Sequence, residues 1–142
     1  MAGGVCASLA ELPERARAIV SDARRGVLVT VGASGAPNAV PVCFAVRSGE
    51  IVTAVDDKPK SGRPLARLAS VETTPGATVL LDRWDEDWTK LGWVMVKGTA
   101  RLDAPGSASA ELAARYVQYR DRPPGGPVIA VRPHRVVWWT WE

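Results

Sequence analysis

Lys58, Lys60 and Arg63 crowd one short stretch, on either side of Pro59 and Gly62. Pro59 removes a backbone donor and fixes φ, so the turn that carries the lysines is stiff. Before it runs a β-forming strand, Ile51 to Val55, which Asp56 and Asp57 bring to a stop. After it Pro64 suits the first turn of a helix that reads Leu65-Ala-Arg-Leu-Ala-Ser-Val71. A strand end, a rigid basic turn and a helix N-terminus together favour an anion, most naturally a phosphate. Alone, a Lys-Pro-Lys turn is also an ordinary solvated turn, so the rest of the chain has to decide.

Little else in the chain offers acid–base or metal chemistry. The single histidine, His134, has no Ser, Cys or Asp beside it in a triad arrangement and reads as a surface or interface residue. Cys6 and Cys43 have no nearby His and make neither a metal site nor a convincing disulfide. Asp82, Asp85, Glu86 and Asp87 cluster without the loop pattern of a calcium site and read as a solvated hairpin tip. No Gly-rich phosphate motif of the dinucleotide or P-loop type occurs. Cations for an anion, apolar walls and tryptophans remain. That inventory suits a protein that lends its site to a redox cofactor such as a flavin, which carries its own hydride chemistry.

The elements that must position these residues are mostly strands. Leu12, Ala16, Ile19, Val20 and Ala23 recur at helical spacing, so a helix is expected at about Pro13 to Ala23, after a capping box at Ser8 to Glu11. Strands are expected at Val27–Val31, Pro37–Val46 (with a bulge or an edge at Pro41), Ile51–Val55, Ala77–Trp84 and Leu91–Leu102. Gly98 suggests a bulge or sharp bend in the last of these. A helix over Ser109–Tyr119 and a Pro/Gly-rich loop over Arg120–Pro127 follow, the loop being the expected mobile segment. The last strand or strand pair, from Val128 to Trp141, is kinked at Pro133. In it Trp139 and Trp141 share one face, and Trp138 the other, with Val136 and Thr140. Antiparallel strands with a few short helices fit a small β-barrel, whose closure hides apolar edges.

At 142 residues the chain is expected to be one domain, 1–142, with residues 1–11 a frayed terminus. No apolar run approaches a membrane span and no signal peptide is read at the start, so no membrane is expected and a reducing cytoplasm is the simplest setting. The net charge of +3 permits anionic ligands without demanding nucleic acid. A barrel that binds single-stranded nucleic acid is a different class of reading, weakened because tryptophans flank an acidic tip and the basic residues are scattered.

The order of segments is distinctive. Arg25-Gly-Val-Leu-Val-Thr-Val31, Gly35-Ala-Pro-Asn-Ala-Val-Pro-Val42, Thr53-Ala-Val-Asp-Asp-Lys-Pro-Lys60, Asp82-Arg-Trp-Asp-Glu-Asp-Trp88 and Gly92-Trp-Val-Met-Val-Lys-Gly98 together resemble the pyridoxamine 5′-phosphate oxidase-like split β-barrel superfamily. The resemblance is closest to its actinobacterial branch of deazaflavin (coenzyme F-420)-dependent reductases and runs from about Leu12 to the C-terminus. It implies a mainly β fold, a six-stranded antiparallel split barrel with about three short helices. It implies a homodimer with cofactor grooves at the subunit interface, an F-420 or alternatively an FMN cofactor, hydride transfer to a conjugated small molecule, and no metal. Val40, Pro41 and Val42 would line the ring, and Thr53, Ala54 and Val55 would run under it. Lys58 and Lys60 stand where the family places its phosphate-binding cations, with Arg63 at the rim. Trp88 and Trp93 would come from the partner subunit. Ala54 replaces the Asn common after that Thr in the oxidases, and their C-terminal substrate-binding Arg/His constellation does not align. Vitamin B6 oxidation is therefore not implied.

Overall fold

The β-forming runs make one antiparallel sheet of eight strands, in the order β3-β2-β6-β7-β8-β5-β4 with β1 added to β8. A computed structural model describes residues 2–55 and 66–141. Its strands are β1 (Ala2–Cys6), β2 (Gly26–Val31), β3 (Pro37–Val42), β4 (Ala45–Arg47), β5 (Glu50–Ala54), β6 (Gly76–Arg83), β7 (Gly92–Asp103) and β8 (Val128–Thr140). The helices are α1 (Glu14–Asp22), α2 (Ala66–Thr73), α3 (Ser109–Arg115) and α4 (Gln118–Asp121), with 3-10 turns at Leu9–Glu11 and Trp88–Lys90.

The expected continuous strand over Pro37–Val46 is two strands, and the break between them shapes the fold. β3 and β4 end the hydrogen-bonded path on opposite sides, yet only Cys43 and Phe44 separate them in sequence. The sheet therefore curls until its two ends meet, and the chain rather than a ladder joins them. This is a split barrel, with more strands than the six expected. Pro41 sits on β3, which among the described residues pairs only with β2, so its missing N–H interrupts no central ladder.

Inside the curl, alternate residues of the strands meet α1. Leu28, Val79, Leu81, Val94, Val96 and Val136 are buried, and so are Leu12, Ala16, Ile19, Val20 and Ala23, the stripe expected of the first helix. At Ser8–Glu11 the Glu11 carboxylate accepts from the Ala7 and Ser8 N–H groups, at 2.7 and 3.2 Å. A second, smaller core lies on the other face of the sheet, where Ala45, Val52, Val128 and Ala130 pack against Leu112 and Tyr116.

β7 and β8 pair along their full lengths, with one register shift beside Gly98. Lys97 faces Arg135 and Gly98 faces Pro133, so His134 is the extra residue of a bulge. A Cβ on Gly98 would lie 2.0 Å from the Arg132 carbonyl oxygen, so only glycine allows the strands to approach this closely. The kink expected at Pro133 is thus a bulge within one long strand.

Two expectations fail. Residues 2–6, expected to be frayed, pair with β8 from Ala2 opposite Thr140 to Cys6 opposite Val136. Gly3 and Gly4 have weak strand propensity, but their missing side chains leave room for indoles: a Cβ on Gly4 would lie 3.0 Å from the Trp138 ring. The expected single helix over Ser109–Tyr119 breaks at Tyr116, which has extended backbone, and a second helix runs through Arg120 and Asp121. The remaining Pro/Gly loop is hydrogen-bonded to its surroundings. Ser109 Oγ donates to the Pro124 carbonyl at 3.1 Å, and the Gly126 N–H donates to the Val55 carbonyl at 3.0 Å.

Candidate functional site

Strand alternation decides what β3 can offer a ligand. Val42 is in the main core and Val40 packs against it, while Pro41 points outward and is exposed. Of the three residues expected to line a ring, β3 therefore presents the Pro41 ring and its own main chain. Pro41 stands directly opposite Val27, the first outward residue of β2.

On β5, Thr53 is buried opposite Ile129, and Ala54 packs against the smaller core. Val55 donates its N–H to the Pro127 carbonyl and accepts from the Gly126 N–H, both at 3.0 Å. The end of β5 is thereby anchored where the chain enters the basic turn. Lys58, Lys60 and Arg63 lie outside the described residues, as does the expected helix start at Pro64. β3 and β5 are not hydrogen-bonded neighbours.

Trp88 begins the 3-10 turn between β6 and β7 and is 59% exposed; Trp84, before it, is 67% exposed. Asp87 caps this turn, accepting from the Thr89 N–H at 3.1 Å and the Thr89 hydroxyl at 2.7 Å. Those bonds, the hydroxyl first, hold the Asp87 carboxyl below the ordinary carboxylate range. Trp93 is half-buried on the outer face of β7, between Asp82 of β6 and Trp139 of β8. A single chain thus carries the expected ring-lining and indole residues on separate elements.

The outer face that carries Trp93 is broad and apolar. Val27, Val29, Leu80, Met95, Trp93, Val137 and Trp139 are each half-buried and point outward, in register from β2 across to β8. α3 covers the other half of this outer surface, but this half has no helix over it among the described residues. The signal was in the alternation: the strands are apolar on both phases, and only one phase fits inside the curl.

Around the chain crossing at Phe44 the contacts are well fixed. The buried Phe44 N–H donates to the Tyr116 hydroxyl, which donates in turn to the Arg24 carbonyl, both at 3.1 Å. Arg115 lies over the Phe44 ring at 4.6 Å and donates to the Ser21 and Ala23 carbonyls. Helical spacing placed Arg115 and Tyr116 on a helix but gave no sign that they clamp this crossing.

A model of the family described as pyridoxamine 5′-phosphate oxidase matches residues 12–140. The chain belongs to the pyridoxamine 5′-phosphate oxidase family. Solved structures share the fold at low identity. A conserved hypothetical protein from Mycobacterium tuberculosis is 19% identical with a TM-score of 0.71, over 92% of this chain and 86% of that one. An F420 reductase is 18% identical with a TM-score of 0.66, over 88% and 98%. HutZ, the heme storage protein from Vibrio cholerae, is 12% identical with a TM-score of 0.66, over 83% and 87%. No curated protein matches the chain. The family embraces this split barrel, so the resemblance read from segment order holds at the level of fold and family. Among the described residues no helix is long and apolar enough to cross a membrane.

Proposed function

We propose that this family member is a homodimeric oxidoreductase that binds a flavin-type cofactor where two copies meet, with deazaflavin coenzyme F-420 favoured and FMN as the alternative. The observation that carries this reading is the uncovered apolar outer face, bounded by Pro41 at one side and by Trp93 and Trp139 at the other. Contiguous apolar surface of this kind marks an interaction site. The likeness to an F420 reductase supports the choice of cofactor.

A bound deazaflavin supplies the hydride; the chain has to hold and wall it. Lys58 and Lys60 grip its phosphate, with Arg63 at the rim. Pro41 and the main chain of Val40 and Val42 wall one side of the ring. Thr53, Ala54 and Val55 form the strand beneath it. Trp88 and Trp93 of the partner subunit close the groove. The exposed Pro41 ring and the half-buried indole of Trp93 fit a flat apolar ligand. The substrate is a planar conjugated small molecule that stacks on the exposed side of the ring.

Titration of the chain with F-420 and with FMN, followed by quenching of tryptophan fluorescence, tests the reading. Saturable quenching by F-420 at lower concentration than FMN supports it. Tighter FMN binding selects the alternative, and no quenching by either rejects the cofactor assignment.

A further inference from the structure

Lys97 and Arg135 stand directly opposite one another on β7 and β8, and both are exposed. Neither has an ion-pair partner among the described residues. Like charges directly across an antiparallel pair destabilise it. The chain treats the next charged position on the same face of β7 differently. Arg101 donates to both Glu50 oxygens, at 2.6 and 2.8 Å, and to Asp103 at 3.0 Å. Arg47 also pairs with Asp103 at 2.6 Å.

Beyond Lys97 a groove of about 350 Å³ opens on the outer face. Val29, Val31, Thr74, Thr78, Lys97 and Gly98 are among the residues that line it. Thr78 is the residue of β6 directly opposite Lys97. Lys97 therefore stands between Thr78, which lines the groove, and Arg135, which lies outside its lining on the neighbouring strand. Arg132, opposite Thr99, is exposed beyond the bulge, as is His134, whose Nε2 lies 2.6 Å from the Thr99 hydroxyl.

We propose that this groove binds an oxyanion, the phosphate or carboxylate group of a small molecule. Lys97 and Arg135 are its charge-assisted donors, and the Thr78 hydroxyl is a neutral one. An anion set between the two cations converts a repulsive cross-strand pair into a bridged one, and Val31, which is not part of the face proposed to meet a second copy, receives the apolar part of the ligand. The proposed site uses no residue of the Lys58–Arg63 stretch and does not depend on which cofactor, if any, that stretch holds.

The test is thermal melting of the full chain at low ionic strength, with inorganic phosphate, with citrate, and with sodium chloride at matched ionic strength. Phosphate or citrate should raise the wild-type midpoint by about 3–6 °C at saturation, and chloride should not. The larger of the two rises tells a phosphate from a carboxylate. Lys97→Gln and Arg135→Gln should each melt above wild type without the anion, because the repulsion is gone. Each should lose most of the anion-dependent rise. Lys90→Gln, at the acidic tip, should keep it. An equal rise in chloride, or a full rise in the two bulge variants, would overturn the site. A rise abolished by Lys58→Ala or Lys60→Ala and untouched by the bulge variants would place the anion at the basic turn and equally overturn it.

Discussion

Phe44 donates its backbone N–H to the hydroxyl of Tyr116, 72 residues further along the chain and 3.1 Å away. This bond holds the crossing where the two ends of the sheet are joined by chain alone. Tyr116→Phe keeps the ring but strands a buried N–H and frees the Arg24 carbonyl. Leaving such a buried group unsatisfied costs roughly 1–3 kcal/mol. Urea unfolding of the variant should show that loss with an unchanged m-value. Wild-type stability would mean that the crossing is held by packing alone.

The bulge between β7 and β8 makes its own demand. Gly98→Ala sets a Cβ against the Arg132 carbonyl, which is backbone and cannot swing aside. Overpacking of this kind costs roughly 1–3 kcal/mol, and this contact belongs at the top of that range. Gly76→Ala, with nothing within 4 Å of the new atom, is the control and should change stability little. Chemical denaturation of the two variants separates them; equal midpoints would contradict the register described.

Glu50 gives the fold a pH dependence. The hydrogen bonds from Arg101 are the main cause of its lowered pKa, and they raise that of Arg101 in turn. A carboxylate with a depressed folded-state pKa contributes stability that is full above its unfolded value, near 4.5, and is lost as pH falls through the folded value. Glu50→Gln should therefore lower stability at neutral pH and flatten its decline below about pH 4.5. Melting curves from pH 7 to pH 3 check this. Parallel curves for variant and wild type would show that the pair contributes nothing.

The uncovered outer face predicts self-association. Leu80 and Met95 are paired near its centre, away from the crossing and the bulge. Met95→Glu places a charge in an apolar interface, where it has no partner. Sedimentation should show a dimer for wild type and a folded monomer for the variant, with its circular dichroism preserved. A monomeric wild type at micromolar concentration would remove the interface from the account.

Much of this architecture was legible because hydrophobic period and turn residues report it directly. The stripe from Leu12 to Ala23, the edge at Pro41 and the bulge at Gly98 each follow from a local rule that the tertiary structure obeys. β1 was missed because its pairing is a tertiary choice: Gly3 and Gly4 have weak strand propensity, and the indoles of Trp138 and Trp139 give them a reason to be there. The break at Cys43–Phe44 was hidden for a similar reason, since each half is a good strand and only barrel curvature requires the chain to step between ends. At the site, residue type pointed to the basic turn and to Pro41. It could not show that Val40 and Val42 turn inward, because a run apolar on both faces hides its phase.

The central claim rests on Lys58 and Lys60 as the grip on a cofactor phosphate. The most direct measurement is the F-420 dissociation constant of Lys58→Ala, Lys60→Ala and the double variant, by tryptophan quenching at low and moderate salt. Each charge-assisted bond removed typically costs ~1.5–3 kcal/mol, so each single variant should bind about ten- to a hundred-fold more weakly. The double variant should bind more weakly still, without strict additivity, because both cations share one ligand. Melting points without cofactor should hardly move, because the two lysines are assigned to the ligand and not to the fold. If all three variants bind F-420 as tightly as wild type at both salt concentrations, the phosphate lies elsewhere and the placement of the ring against Pro41 falls with it.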